Sequence, residues 1–249
     1  MNVMITSTQN ERVKEWRKLH TRKGRSRANM FLVEGFHLIE EALKSHWTIE
    51  QLIVEDGKEV PTWAQSLPMT IVSSSVFNDI AQTETPQGIA AVVQMKTLNF
   101  NPTTHVLLID AIQDPGNLGT IIRTADAAGF SAIFLGQGTV DMYNDKVVRA
   151  TQGSLFHIPI IQTHLEQTIK TLRQKGYKIW ATDITPEASV YHQKDVPNKS
   201  AVILGNEGAG IDQNFVNQAD TVVKIPIYGQ AESLNVSVAA GILMYYLRR

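Results

Sequence analysis

Short apolar runs alternate with helical apolar periods along most of the chain. Met30-Phe31-Leu32-Val33 reads as a strand. Gly35 to Lys44 reads as a helix with Phe36, Leu38, Ile39, Ala42 and Leu43 as its apolar positions. Ile49 to Val54 is a second strand. Ile71-Val72 leads into Ser73-Ser74-Ser75, three N-cap candidates for a short helix through Ala81. Thr85-Pro86-Gln87-Gly88 then turns the chain into a strand from Ile89 to Val93. Together these elements predict a small α/β module.

Residues 98–104, with Asn99, Asn101, Pro102, Thr103 and Thr104, have the composition of a linker. From His105 the order becomes strand, helix, strand. Val106 to Ile109 is followed by a helix after Asn117, then Ala132 to Leu135, a helix near Lys146 to Thr151, and Ile158 to Ile160. A helix from Leu165 to Lys175 comes next, then the strands Lys178 to Ala181, Ala201 to Leu204 and Val222 to Ile227, and a last helix from about Leu234 to Arg248. Apolar strands alternating with helices predict a mostly parallel sheet covered on both faces. The last helix is apolar on every side, through Val236, Val238, Ala239, Ala240, Ile242, Leu243, Met244, Tyr245 and Tyr246. It must be covered all round, by its own fold or by a second subunit. The expected division is therefore 1–97, a linker at 98–104, and 105–249.

Composition narrows the classes. With 43% hydrophobic and 19% charged residues, the 249-residue chain has an ordinary globular balance. The absence of Cys excludes disulfides, thiolate zinc sites and cysteine nucleophiles, and suits a reducing compartment. The first ten residues lack the apolar core of a secretory signal. The longest apolar stretch, Val236 to Leu247, is shorter than the roughly 20 residues that span a bilayer. A cytoplasmic protein without a membrane partner is expected.

The net charge of -1 announces no nucleic-acid partner, but its distribution is uneven. Between Glu11 and Arg27, the eight cations Arg12, Lys14, Arg17, Lys18, Arg22, Lys23, Arg25 and Arg27 face Glu11 and Glu15, a net +6. Ala28 to Val93 holds nine acids against Lys44 and Lys58, a net -7. The basic window is either a solvated helix and loop or a footprint for phosphates, with Trp16 and His20 interleaved.

Ligands of open α/β sheets bind beyond the carboxyl ends of the strands. Three loops stand there: Asp110 to Ala125, Leu204 to Gly210, and Ile225 to Asn235. None is G-x-G-x-x-G or a Walker loop, which disfavours dinucleotide enzymes and P-loop NTPases. Gly205, Gly208 and Gly210 are spaced for close backbone approach and positive φ, which would let a small ligand lie against main chain.

The pattern Asp114-Pro115, Asn117, Gly119, Arg123-Thr124-Ala125, then Leu204-Gly205, Glu207-Gly208, then Ile225-Pro226 before Ser233-Leu234-Asn235-Val236-Ser237-Val238-Ala239 resembles the SpoU (TrmH) branch of the SPOUT RNA methyltransferases. It covers His105 to Arg249. Ile5 to Gln94, on Val33-Glu34-Gly35 and Pro86-Gln87-Gly88, resembles the ribosomal-protein-like substrate-binding domain that precedes the catalytic domain in several of these enzymes. The resemblance implies 2'-O-methylation of RNA ribose with S-adenosylmethionine and without metal. It also implies a homodimer and an α/β catalytic domain carrying a deep trefoil knot. Ribosomal RNA is the expected substrate. Transfer RNA, or an RNA-binding protein of this fold without transfer activity, are the alternatives.

Carried over by motif position, Leu204, Gly205, Ile225, Ile227 and Leu234 would hold the cofactor, largely through backbone. An apolar slot with main-chain hydrogen bonds suits an adenine ring. Asn117, Arg123, Glu207, Ser233 and Asn235 would form the catalytic set. The family assigns the arginine at position 123 as general base, which conflicts with a guanidinium pKa above about 12. The physical preference is a bidentate phosphate clamp, with phosphate or water taking the proton. The plain alternative is an ion pair with Asp126 on the same helix. Asn117 would hydrogen-bond the target ribose or Arg123, or cap its helix. Glu207 would orient a catalytic partner or be merely solvated. Ser233 would stand in the active site or cap the last helix. Arg149 could face RNA from the partner subunit, and His157 reads as a packed histidine.

Overall fold

The computed structural model describes residues 4–96, 101–185 and 187–249. The chain forms two compact units, Met1–Thr97 with Asp141–Phe156, and Leu98–Val140 with His157–Arg249. Within the expected linker, 98–100 lie outside the described residues and 101–104 have no regular structure.

The first unit begins with α1 (Glu11–Lys18), α2 (Arg22–Ala28), β1 (Met30–Glu34), α3 (Phe36–Lys44), β2 (Ile49–Glu55), β3 (Met69–Val72), α4 (Ser74–Ile80) and β4 (Ile89–Gln94). Its sheet has the order β1-β4-β2-β3, with β4 antiparallel to both neighbours and β3 parallel to β2. Asn10 starts α1 by accepting from Arg12 N–H, and Ser73 starts α4 by accepting from Val76 N–H. Val13, Trp16 and Leu19 pack with Ile53, Val76, Phe77, Ile80 and Val92 in one core. The two short signatures of this unit meet. Gln87 Oε1 accepts from Phe36 N–H at 3.0 Å, beside Gly35 at φ +97, a conformation that favours glycine.

The second unit runs β5 (Val106–Ile109), α5 (Pro115–Ala127) and β6 (Ala132–Leu135). The chain then lends Asp141–Phe156, with α6 (Asp145–Ala150), to the first unit. It returns through β7 (Ile160–Gln162), α7 (Leu165–Gln174), β8 (Lys178–Thr182), β9 (Ser189–Val190), β10 (Ser200–Leu204), α8 (Gln213–Val216), β11 (Thr221–Lys224) and α9 (Val236–Leu247). The seven strands are all parallel, in the order β7-β6-β5-β10-β8-β11-β9. Every residue of β5 and β10 is buried, as strands covered on both faces require. The strand order turns back between β5 and β10, so the crevice beyond their carboxyl ends is where a ligand site belongs.

The lent segment fills the first unit. Tyr143 packs on Phe31 with ring centroids 4.6 Å apart, and Phe156 meets Trp47 edge-on at 5.3 Å. Trp47 Nε1 also donates to Phe156 O at 3.1 Å.

Several boundaries differ from expectation. The helix expected after Asn117 begins at Pro115, because Asp114 caps it. β7 begins after Pro159, which has no N–H for a ladder. β11 ends at Lys224, leaving Ile225–Ile227 to the loop. In α9, Ala240, Leu243, Met244 and Leu247 are buried, while Val238 and Tyr245 remain 51% and 58% exposed.

Candidate active site

Ile109 lies opposite Leu204 in the sheet, so the first two loops leave the same edge together, and Asp110 N–H donates to Leu204 O at 2.8 Å. In the first loop Asp114 accepts from Asn117 N–H at 2.7 Å, with Pro115 opening the helix, an N-terminal pairing that pre-sets φ and satisfies a free donor. Capping is thus Asp114's task. The Asn117 side chain is left to turn outward.

The second loop folds back on itself. Asn206 and Gly210 exchange backbone hydrogen bonds of 2.8 and 3.0 Å. A Cβ at Gly205 would lie 2.3 Å from the Gly210 carbonyl carbon, so only glycine allows this approach. Asn206 Oδ1 accepts from Gly208 and Ala209 N–H at 3.0 and 2.9 Å, and its Nδ2 donates to Ala111 O at 2.8 Å. Ala111 itself sits at φ +55.

Glu207 projects from this turn. Its Oε1 accepts from Asp114 N–H and from Asn117 Nδ2, each at 3.0 Å, and its Oε2 accepts from Gln113 N–H at 3.1 Å. Burial pushes the Glu207 carboxyl up, but hydrogen bonds from the Asn117 side chain and from backbone N–H groups outweigh it and hold the group below the usual carboxylate range.

The third loop closes the arrangement. Asn235, rather than Ser233, caps α9, its Oδ1 accepting from Ser237 N–H at 2.8 Å, Val238 N–H at 3.3 Å and Ser237 Oγ at 2.6 Å. With that oxygen engaged by donors, Nδ2 must face the other way, and it donates to Asn117 Oδ1 at 2.9 Å. Both amide orientations are therefore fixed along the string Glu207, Asn117, Asn235. Ser233 is exposed and forms no hydrogen bond with this string among the described residues.

Beside the string lies a cavity of about 740 Å³, lined by Gly205 to Ile211, Ile225, Ile227, Ser233, Leu234 and Asn235, with Asp183 and Glu232 also in its wall. The volume is that of a small-molecule site, typically about 300–1,000 Å³. A Cβ at Gly210 would meet nothing within 4 Å, so main chain faces open space there. Apolar Ile225, Ile227 and Leu234 supply a slot, and three acids, Asp183, Glu207 and Glu232, against one cation, Lys224, make the surroundings suited to a cationic ligand. These features fit S-adenosylmethionine. Of the five expected cofactor residues, Gly205, Ile225, Ile227 and Leu234 line the cavity. The Leu204 side chain does not, being buried in the sheet at 1% exposure.

Arg123 lies on the exposed side of α5, and among the described residues its guanidinium makes no ion pair or hydrogen bond. The alternative pair with Asp126 is not formed; Asp126 Oδ2 is taken by His157 Nδ1 at 3.2 Å.

The basic window divides. Arg25, expected at an RNA surface, is 4% exposed. Its Nη2 meets Asp141 Oδ2 at 2.7 Å, and its Nη1 donates to Leu19 O and His20 O. It is a buried tie, out of reach of a phosphate. Trp16 is 5% exposed in the core and so is no stacking platform for bases, and half-buried His20 meets Ile80 O through Nε2 at 3.0 Å. Lys14 and Lys18 pair with Glu11 and Glu15, Arg17 with Asp79, and Arg149 with Asp145 at 2.7 Å. Arg12 lies over the Trp16 ring. Arg22, Lys23 and Arg27 are exposed and have no ion pair among the described residues.

Asn206 is not among the expected site residues, although it helps hold two loops together. An Asn in a short turn bracketed by glycines, as in Gly205-Asn206-Glu207-Gly208, is an Asx-turn signature that could have marked it.

Residues 104–245 match the SpoU rRNA Methylase family, and residues 10–91 match the MRM3-like substrate binding domain. The 23S rRNA (guanosine(2553)-2'-O)-methyltransferase RlmP of Bacillus subtilis (strain 168) is 46% identical over 245 residues, covering 98% of each chain. The AdoMet-bound rRNA methyltransferase of Sinorhizobium meliloti is similar in structure with a TM-score of 0.88 and 32% identity, over 99% of this chain and 97% of that one. A solved RNA 2'-O ribose methyltransferase gives a TM-score of 0.85 and 33% identity over 98% of both chains. Among the described residues no helix is long and apolar enough to cross a membrane, and no group of His, Asp and Glu could hold a metal ion.

Proposed function

The chain belongs to the SpoU rRNA methylase family, and on that premise we propose that it is an S-adenosylmethionine-dependent methyltransferase of a ribose 2'-hydroxyl in ribosomal RNA. The observation that carries this reading is the Glu207, Asn117, Asn235 string at the wall of a cavity fit for the cofactor.

The bound cofactor supplies a sulfonium methyl as electrophile. Everything else falls to the chain. Main chain from Gly205 to Gly210, with Ile225, Ile227 and Leu234, holds the cofactor in place, and the Leu204 main chain braces the loop through Asp110. Glu207 already accepts three hydrogen bonds and has a lowered proton affinity, which makes it an orienting anion rather than a base. It fixes Asn117, which keeps one N–H and one lone pair free, and Asn235 keeps one N–H. These are the groups placed to hold a ribose hydroxyl in line, a positional gain of the kind that dominates group transfer. Ser233 adds a hydroxyl in the cavity wall. Arg123, with no ion pair among the described residues, clamps the target phosphate bidentately, and phosphate or water takes the departing proton.

The first unit serves as the RNA-binding domain, its contact made by Arg12, Arg22, Lys23 and Arg27. The second unit carries the family's trefoil knot. Val238 and Tyr245 of α9 are covered in a homodimer, in which Arg149 faces RNA bound to the partner. A cysteine-free chain acting on ribosomal RNA belongs in the cytoplasm.

The test is transfer of a radiolabelled methyl from S-adenosylmethionine to ribosomal RNA of a strain lacking this protein, with the label mapped to ribose. Label at one 2'-O-methyl nucleotide is the expected result. Cofactor binding in a calorimeter with no label in any RNA would instead indicate an RNA-binding protein without transfer activity.

A further inference from the structure

The turn after β10 owes its shape to one side chain. Asn206 uses its amide in both senses, accepting from Gly208 and Ala209 N–H and donating to Ala111 O across to the loop after β5. Its backbone is pinned by the two hydrogen bonds to Gly210. The next residue is Glu207, whose carboxylate meets three donors on that same opposite loop, Gln113 N–H, Asp114 N–H and Asn117 Nδ2. Ala111 stands two residues before Gln113 and is held at φ +55, a conformation that costs a non-glycine residue about 1–3 kcal/mol and persists only where neighbours enforce it.

We propose that Asn206 is a positioning residue for methyl transfer: its amide locks the loop after β10 onto the loop after β5 and so fixes where Glu207 presents its carboxylate to Asn117. This rests on the methyltransferase reading above. The chemistry requires an amide. Aspartate keeps the acceptor for Gly208 and Ala209 N–H but turns a second oxygen toward the Ala111 carbonyl and sets an anion beside Glu207. Serine keeps one acceptor, stays neutral, and is too short to reach Ala111. In both cases the tie from position 206 to Ala111 is lost, leaving Glu207 to hold the two loops without it, while each can still form its own turn. Glu207 then loses the alignment of its donors, and its proton affinity rises toward that of an ordinary glutamate, further in the aspartate variant because of the like charge.

Asn206→Asp and Asn206→Ser are compared with wild type in steady-state methyl transfer to ribosomal RNA. The Glu207 carboxyl is titrated in each by 13C NMR, its signal assigned through Glu207→Gln. The expected result is a fall in kcat of about 10- to 100-fold with KM for RNA changed less than about threefold, and a rise in the proton affinity of Glu207. A merely structural residue would lower thermal stability and leave that titration in place. If either variant keeps kcat within about threefold of wild type, or leaves the Glu207 titration unmoved, the inference is overturned. Should Asn206→Asp fail to fold, the neutral serine variant decides by the same criteria. A wild-type protein that transfers no methyl overturns the methyltransferase reading instead, and the titration alone then decides whether Asn206 sets Glu207.

Discussion

Asn117 and Glu207, ninety positions apart in the chain, meet through a single 3.0 Å hydrogen bond, and the acceptor oxygen is the one that also holds Asp114 N–H. The carboxylate thus positions both the start of α5 and the side chain that leaves its first turn. Glu207→Gln keeps the shape but turns one end into a donor facing a donor. Hydrogen bonds to charged groups contribute about 1.5–3 kcal/mol, so methyl transfer is expected to fall about 10- to 100-fold, with cofactor affinity by calorimetry little changed.

The same bonds set a pH dependence. Glu207 binds its proton less tightly folded than unfolded, so its contribution to stability is present above the usual glutamate value of 4.5 and is lost as pH falls through the lower folded value. Thermal unfolding of wild type against Glu207→Gln, followed from pH 7 to pH 3, is expected to show a difference that holds down to about pH 4.5 and shrinks below it.

Arg123→Lys separates a clamp from a simple charge. Among the described residues Arg123 makes no ion pair, so the substitution is expected to change stability by less than about 0.5 kcal/mol. A lysine cannot hold phosphate with two parallel bonds, and transfer is expected to drop at least about tenfold. Activity near wild type in the filter-bound methyl assay would remove the clamp.

On α2 the cations differ in kind. Replacing Arg22, Lys23 and Arg27 together by Ala is expected to leave folding intact and to reduce the slope of log affinity for RNA against log salt by about 2–3. Arg25→Ala removes the ion-pair partner of the half-buried Asp141 carboxylate, which keeps only Tyr143 N–H, and is expected to lower stability by up to about 3 kcal/mol. Chemical denaturation distinguishes the two sets.

Val238→Glu places a charge on the uncovered apolar face of α9. Light scattering is expected to show wild type at the mass of two chains and the variant at the mass of one. A wild-type monomer at micromolar concentration would overturn the dimer.

The buried strands were readable because parallel strands covered on both faces are nearly unbroken apolar runs, as in Val106 to Ile109 and Ala201 to Leu204. The loops were readable because their residue types recur in a fixed order. The choice of caps was not. Asp114 and Asn117 are both good cap residues, as are Ser233 and Asn235, and long-range partners decide between them: Glu207 takes the Asn117 side chain, and Asn117 takes that of Asn235. For Asp114 a local clue existed, since Pro at the next position favours it as the cap. Summing charge over Glu11 to Arg27 hid the inward side of two helices. Val13 and Trp16, three apart, marked that side of α1, but nothing local marks Arg25, whose acid lies 116 positions on. The membership of Asp141–Phe156 in the first unit rests on tertiary packing alone, with no change of composition at either end.

That loan of residues sets an order of events during synthesis. When residue 97 has been made, Phe31 and Trp47 still lack Tyr143 and Phe156, and Arg25 lacks Asp141. Translation at about 5–20 residues per second leaves roughly 3 to 12 s before residue 156 exists. The first unit therefore cannot finish folding while the chain is at the domain boundary. It is completed only after the first strands of the second unit have been translated, so a nascent chain stalled before residue 141 would present an unfinished core to chaperones rather than a finished domain.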